Sequence, residues 1–211
     1  TGPGRIDGGF FFTGLAVDPF NPNILLAAVR NRNSSAASGI YRSINAGVSW
    51  SLVASASGAA GTAIVFNPVF NPTPADDSIV YAALGSTGGD TENGVYKSID
   101  SGLTFAKLTG TGVNLLPAAG LGRVELALAP SSPSTLYASF ASSATGSSTL
   151  LSPGTFKTTD AGVNWSSIAA AQGSTYCNTQ CFYDFEMRVH PTNADHVWFG
   201  GGAFTNNSTT L

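Results

Sequence analysis

SINAGVSW at Ser43–Trp50, SIDSGLTF at Ser98–Phe105 and TTDAGVNW at Thr158–Trp165 are one pattern written three times. Ser43, Ser98 or Thr158 opens each copy, Asn45, Asp100 or Asp160 stands two residues on, Gly47, Gly102 or Gly162 two after that, and Trp50, Phe105 or Trp165 closes it. The hydroxyl and the acid or amide are placed to bond backbone groups within one tight turn, where glycine supplies positive φ. The copies recur at intervals of about 55 and 60 residues, a period typical of propeller blades or solenoid coils. The chain is therefore read as a repeat protein.

Each copy follows an alternating aromatic run: IYRS ending at Ser43, VYKS ending at Ser98, TFKT ending at Thr158. These read as strands. Further upstream, VDPFNPNILLAAV from Val17, FNPVFNPTPADDSIVYAAL from Phe66, LAPSSPSTLYASF from Leu128 and VHPTNADHVWFGG from Val189 each read as strand, Pro/Asn turn, strand, because proline fixes φ and lacks a ladder donor. One unit is then a four-stranded antiparallel meander, and repeated meanders of this length are blades of a β-propeller. The predicted fold class is all-β, a partial propeller of about three and a half blades in one domain. The blades are expected over residues 1–57, 58–112, 113–174 and, incomplete, 175–211.

The repeated pattern resembles the Asp-box or BNR repeat, S-x-D-x-G-x-x-W. The first copy departs from it with Asn45 for Asp, which predicts a weaker turn there, and the second with Phe105 for Trp. The resemblance implies a propeller whose boxes are scaffold. It spans sialidases, xyloglucan-cleaving glycoside hydrolases, sortilin-type sorting-receptor ectodomains, photosynthetic assembly factors and other secreted proteins, so it does not fix an activity. GGFFFTGLAVDP from Gly8 looks like the opening blade of xyloglucan-cleaving propellers. Sialidases carry an Arg-Ile-Pro motif and an arginine triad. Here Arg5-Ile6-Asp7 stands instead, with no convincing triad.

Composition agrees with strands and turns. Charged residues make up 10% of the 211 and the net charge is -3, with nine Lys and Arg scattered singly, so no basic stripe exists to neutralise a run of phosphates and nucleic acid is not an expected partner. No stretch approaches the roughly 20 apolar residues of a membrane span. A first residue of Thr1 rather than Met suggests a processed or excised segment. Two cysteines and low charge fit an oxidising compartment, so the expected location is extracellular or cell-surface.

Alternation puts the Pro/Asn turns and the boxes on one end of the blades, and the variable loops and first-strand entries on the other. Binding residues tend to occupy such loops. Asp7, Asp90, Glu92, Glu125, Asp184 and Glu186 fall near that end. Glu125 and Asp184 enter neighbouring first strands and are the candidate catalytic pair, since a glycosidase needs two carboxyl groups about 5–10 Å apart. The alternative is structural ion pairing with Arg123 and Arg188. Asp90, Glu92, Arg123, Tyr183 and Glu186 are the candidate binding residues. Phe10, Phe11, Phe12, Phe182 and Tyr183 either stack on sugar rings or belong to the core, and core is the favoured reading.

Cys177, Cys181, His190 and His196 imitate a zinc finger, but the intervening residues read as a strand that holds Cys181 and His190 well over ~20 Å apart. Cys177 and Cys181 read instead as a small-loop disulfide, with free thiols as the alternative, and no metal or cofactor is expected. A closed ring needs at least about four blades, so the remainder is expected from a longer chain or a second copy. The functional expectation is a secreted carbohydrate- or protein-binding module or scaffold, facing a polysaccharide, glycan or protein surface. The competing expectation is a glycoside hydrolase.

Overall fold

The computed structural model describes residues 9–31, 37–55, 58–69, 78–86, 88–111, 114–143, 150–168, 177 and 179–201. Arg5 and Asp7 lie outside them. Three four-stranded antiparallel sheets follow one another along the chain. The first holds β1 (Phe10–Val17), β2 (Leu25–Asn31), β3 (Gly39–Ser43) and β4 (Ser51–Ala54). The second holds β5 (Ala60–Phe66), β6 (Val80–Gly85), β7 (Gly94–Ser98) and β8 (Ala106–Leu108). A small hairpin of β9 (Gly110–Thr111) and β10 (Asn114–Leu115) leads to the third: β11 (Leu121–Leu128), β12 (Leu136–Ser142), β13 (Leu150–Thr158) and β14 (Ser166–Ser167). A two-stranded sheet of β15 (Phe185–His190) and β16 (Asn193–Gly201) comes last.

Every sheet is a simple meander, so its first strand lies on one edge. These first strands stand side by side: β1 touches β5, β5 touches β11, and β11 touches β15. The sheets pack face to face around that inner row. Alternation sends Val80, Ala82 and Leu84 of β6 into a core shared with Leu26, Ala28 and Ile40 of the first sheet. Tyr81 and Ala83 of the same strand enter the next core, with Val124, Leu126, Phe140, Phe156 and Trp165. Met187, Val189 and Val197 of the last sheet meet Ala127 and Tyr137 of the third. A central strand buried on both faces reads as a nearly continuous apolar run, as β6 does.

Small residues set how closely neighbouring sheets approach. A Cβ on Gly61 would lie 2.4 Å from the Gly39 carbonyl oxygen, and one on Gly85 would lie 2.5 Å from that of Gly122. The first strands also share a bulge, at Phe12/Gly14, Gly61/Ala63 and Leu121/Val124. Bulges re-aim side chains. The Thr13 hydroxyl thereby donates to Gly61 O at 2.6 Å, and that of Thr62 to Val124 O at 2.8 Å, each fastening one inner strand to the next. The third bulge carries Arg123 in that place, with its guanidinium 5.6 Å from the centre of the Phe185 ring in the last sheet.

The core reading of the Phe10–Phe12 run does not hold. Phe11 and Phe12 are 44% and 55% exposed, and Phe10 is half-buried edge-on against Tyr41. Leu15 and Val17 are exposed too. Phe12, Leu15 and Val17 pair with Val29, Ala27 and Leu25, on the face opposite Leu26 and Ala28, which enter the core shared with the second sheet, while Phe11 opens onto a cavity beside Gly58–Thr62. Strand alternation alone does not reveal which face a neighbour covers.

Candidate functional site

The box end of the blades is a repeated hydrogen-bond unit. In the second box the Ser98 hydroxyl donates to Asp100 Oδ1 at 2.6 Å and accepts from the Gly102 amide at 2.8 Å, while Asp100 accepts from the Leu103 and Thr104 amides. Thr158 and Asp160 repeat this set with Gly162, Val163 and Asn164. In the first box Ser43 donates to Asn45 Oδ1 over a longer 3.0 Å, and the Val48 amide goes to the Asn45 backbone carbonyl instead of its side chain. The indoles of Trp50 and Trp165 donate to Gly47 O and Gly162 O. Trp165 is buried, and Phe105 packs at the edge of the core between the first two sheets.

Gly47, Gly102 and Gly162 have positive φ, and so do the residues just before them, Ala46, Ser101 and Ala161. Left-handed backbone costs a non-glycine residue roughly 1–2 kcal/mol, which the bonds around it must offset. One such bond joins each box to the Pro/Asn turn of its own blade: Ala46 N to Asn23 O, Ser101 N to Ser78 O, Ala161 N to Ser134 O. Another crosses blades. Arg42 donates to Ser101 O and Lys97 to Ala161 O, while Lys157 pairs with Asp195 of the last sheet. The basic residue before each opening Ser or Thr is thus a clasp onto the next blade. Its signal lies in YRS, YKS and FKT, where a basic residue precedes each opening Ser or Thr.

Hydrogen bonds from the backbone and side chain of Asn164, with help from Thr158, hold the Asp160 carboxyl down at about 2. Burial pushes Asp100 up, but bonds from Ser98, Thr104 and Leu103 more than offset it and its carboxyl is lowered. Both are fixed as acceptors, the opposite of a proton donor's requirement.

The other end holds a cavity of about 390 Å³. Its walls come from the entries to the first strands (Phe11, Gly58–Thr62, Arg123, Phe182, Tyr183) and from the loops after the second strands (Arg30, Asn31, Ser38, Gly85, Ser86, Gly88). Tyr183 is 53% exposed and meets Phe182 edge-on at 4.5 Å. Beside them Cys177 and Cys181 are disulfide-bonded, with Cα atoms 5.0 Å apart, and both are buried.

A second cavity, of about 360 Å³, lies along the inner row, between β1, β5, β11 and β15. Glu125, Glu186 and Arg188 line it. Glu125 is buried and bonded by Arg123 at 2.9 Å, and Glu186 is paired with Arg188. Burial pushes the Glu125 carboxyl up to about 7, Glu186 adds to the rise, and Arg123 and Arg188 pull the other way. The carboxylate that shares this cavity with Glu125 is Glu186. Asp184 stands just ahead of β15, with its amide bonded to Gln180 O, and lines neither cavity.

Asp90 and Glu92 belong to the turn before β7: Asp90 Oδ1 accepts from the Glu92 amide, and the Tyr96 hydroxyl donates to Glu92 O at 2.6 Å. Neither lines a cavity described above. His190 accepts from the Thr192 amide at 3.2 Å, as Asp18 and Asn67 accept from amides two residues on in their own turns. Its ring stacks on His196 at 5.5 Å. Among the described residues no group of three or more His, Cys, Asp or Glu is placed to hold a metal ion, and no helix is long and apolar enough to cross a membrane.

Solved structures of similar shape exist. A GH74 enzyme from Niastella koreensis superposes with a TM-score of 0.57 at 22% identity, covering 89% of this chain and 24% of that one. An ancestral GH74 enzyme gives 0.58 at 22% identity, covering 92% and 24%. The fold is that of an Asp-box β-propeller. This propeller chain spans about a quarter of the length of the enzymes it matches. No protein-family model and no curated protein sequence matches it.

Proposed function

We propose that this chain is part of a secreted Asp-box propeller that binds carbohydrate at the rim cavity opposite the boxes. The observation that carries the reading is the cavity lining: Phe11, Phe182 and Tyr183 with Arg30 and Arg123 at the mouth of the inner row. Exposed aromatic rings offer apolar faces to the C–H faces of a sugar, and a few placed polar groups orient it. No lining residue of this cavity among those described is a carboxylate, which favours binding over hydrolysis there. A glycan array followed by calorimetry is the test: Tyr183→Ala should weaken saccharide binding at least about tenfold, as loss of a central aromatic contact does. A chain that binds no saccharide at millimolar concentration would refute it.

A second reading has its own support. Glu125 and Glu186 share the inner cavity, and a carboxyl raised to about 7 suits a general acid. A glycoside hydrolase working there would release reducing sugar, and Glu125→Gln would abolish the release. Its full constellation would draw on blades beyond this segment.

A further inference from the structure

The rim cavity concentrates positive charge. Two of the chain's nine Lys and Arg line it, although the net charge is -3. Arg30, near the end of β2, is exposed and has no ion pair among the described residues. Arg123 is held by Glu125 through one terminal nitrogen, Nη2, while its Nε is buried without an acceptor, so its donor capacity is not used up. A neutral sugar would cover these guanidinium groups without matching them, and desolvated, unmatched charge is unfavourable. A carboxylate takes charge-assisted hydrogen bonds from a guanidinium fork. The cavity's 390 Å³ lies at the small end of ligand sites, about 300–1,000 Å³, which suits one or two sugar rings.

Resting on the carbohydrate reading above, we infer that the rim cavity is a subsite for an acidic sugar, the uronic acid unit of a polysaccharide. Arg30 takes the carboxylate, Arg123 stands behind it, and the Tyr183 ring stacks on the pyranose. Phe182 and Tyr183, which directly follow the Cys177–Cys181 disulfide, present the stacking side, and Arg30, near the end of β2, presents the charge. The two components are therefore separable by mutation.

Calorimetric titration at low salt with oligogalacturonate, oligoglucuronate and their methyl esters tests this, because esterification removes the charge and keeps the ring. One of the acids should bind roughly ten- to a hundredfold tighter than its ester, the range of a charged hydrogen bond. Arg30→Gln, at an exposed position, should remove that difference by weakening acid binding far more than ester binding, and Tyr183→Ala should weaken acid and ester alike. Equal affinity for acid and ester, or binding of neutral glucans alone, overturns the acidic-sugar inference and leaves the carbohydrate reading standing. Absence of binding to every saccharide overturns both. A circular-dichroism melt of Arg30→Gln matching the parent confirms that loss of discrimination is not loss of fold.

Discussion

The two ends of the blades obey different rules. At the box end, three turns of almost the same sequence make almost the same bonds, each is anchored to its own Pro/Asn turn, and the second and third are held as well by a basic residue of the preceding blade. At the rim the entries diverge: the bulges carry Thr13, Thr62 and then Arg123, and the loops supply residues as different as Arg30, Ser86 and Tyr183. Repetition at one end fixes the blade spacing, which frees the other end to vary. Stability should therefore be concentrated at the boxes and recognition at the rim.

The largest expected effect tests that division directly. Trp165 is 3% exposed inside the core between the second and third sheets, so Trp165→Ala should cost about 3–5 kcal/mol. Tyr183→Ala, at an exposed rim position, should stay within about 0.5 kcal/mol. Urea unfolding of the two variants measures both. Similar losses would mean that the rim shares in holding the blades, and the contrast would fail.

The fold was legible in the sequence because the box is local. Ser98 finds Asp100 and Gly102 within four residues, so the pattern carries its own geometry. The clasps were not legible, since Arg42 must reach Ser101 across 59 positions and nothing near Arg42 announces it. The rim cavity draws on the three four-stranded sheets and on the segment just before β15, and sequence placed Arg123 and Tyr183 at that end without bringing Arg30 to them. Phe11 and Phe12 misled because alternation gives two faces and no neighbour. Glu125 was visible as an acid near a first-strand entry. Its partner in the inner cavity, Glu186, depended on the bulge offsets in β11.

An intermediate effect should come from the inner cavity. Glu125 has its carboxyl raised to about 7 from an ordinary 4.5, chiefly by burial. The folded form therefore holds this proton over a range where the unfolded chain has lost it. Stability contributed by the protonated carboxyl is full below about pH 4.5 and falls as pH rises toward 7. The loss should be on the order of 2 kcal/mol between pH 5 and pH 8. Melting temperatures across that range should decline for the parent and less steeply for Glu125→Gln. Parallel slopes would show that the Arg123 pair compensates the buried charge fully.

The smallest expected effect sharpens the comparison within the box end. Asn45 makes a longer bond to Ser43 than the acids make to Ser98 and Thr158, and its side-chain amide donates to Ser49 Oγ at 2.8 Å. Replacing Asn45 with Asp trades that donor for a second acceptor, as in the second box, where Asp100 Oδ2 accepts from the Thr104 hydroxyl at 2.5 Å. Ser49 occupies the matching place and its hydroxyl can turn to donate. Bonds to an ionised acceptor are stronger than neutral ones, yet Asn45 and Ser49 are exposed and water competes for them, so Asn45→Asp should stabilise by about 0.5 kcal/mol. The gain should vanish as pH falls through the carboxyl's titration, which chemical unfolding at pH 7 and pH 3 resolves. A gain that persists at pH 3 would assign the difference between boxes to turn geometry instead of charge.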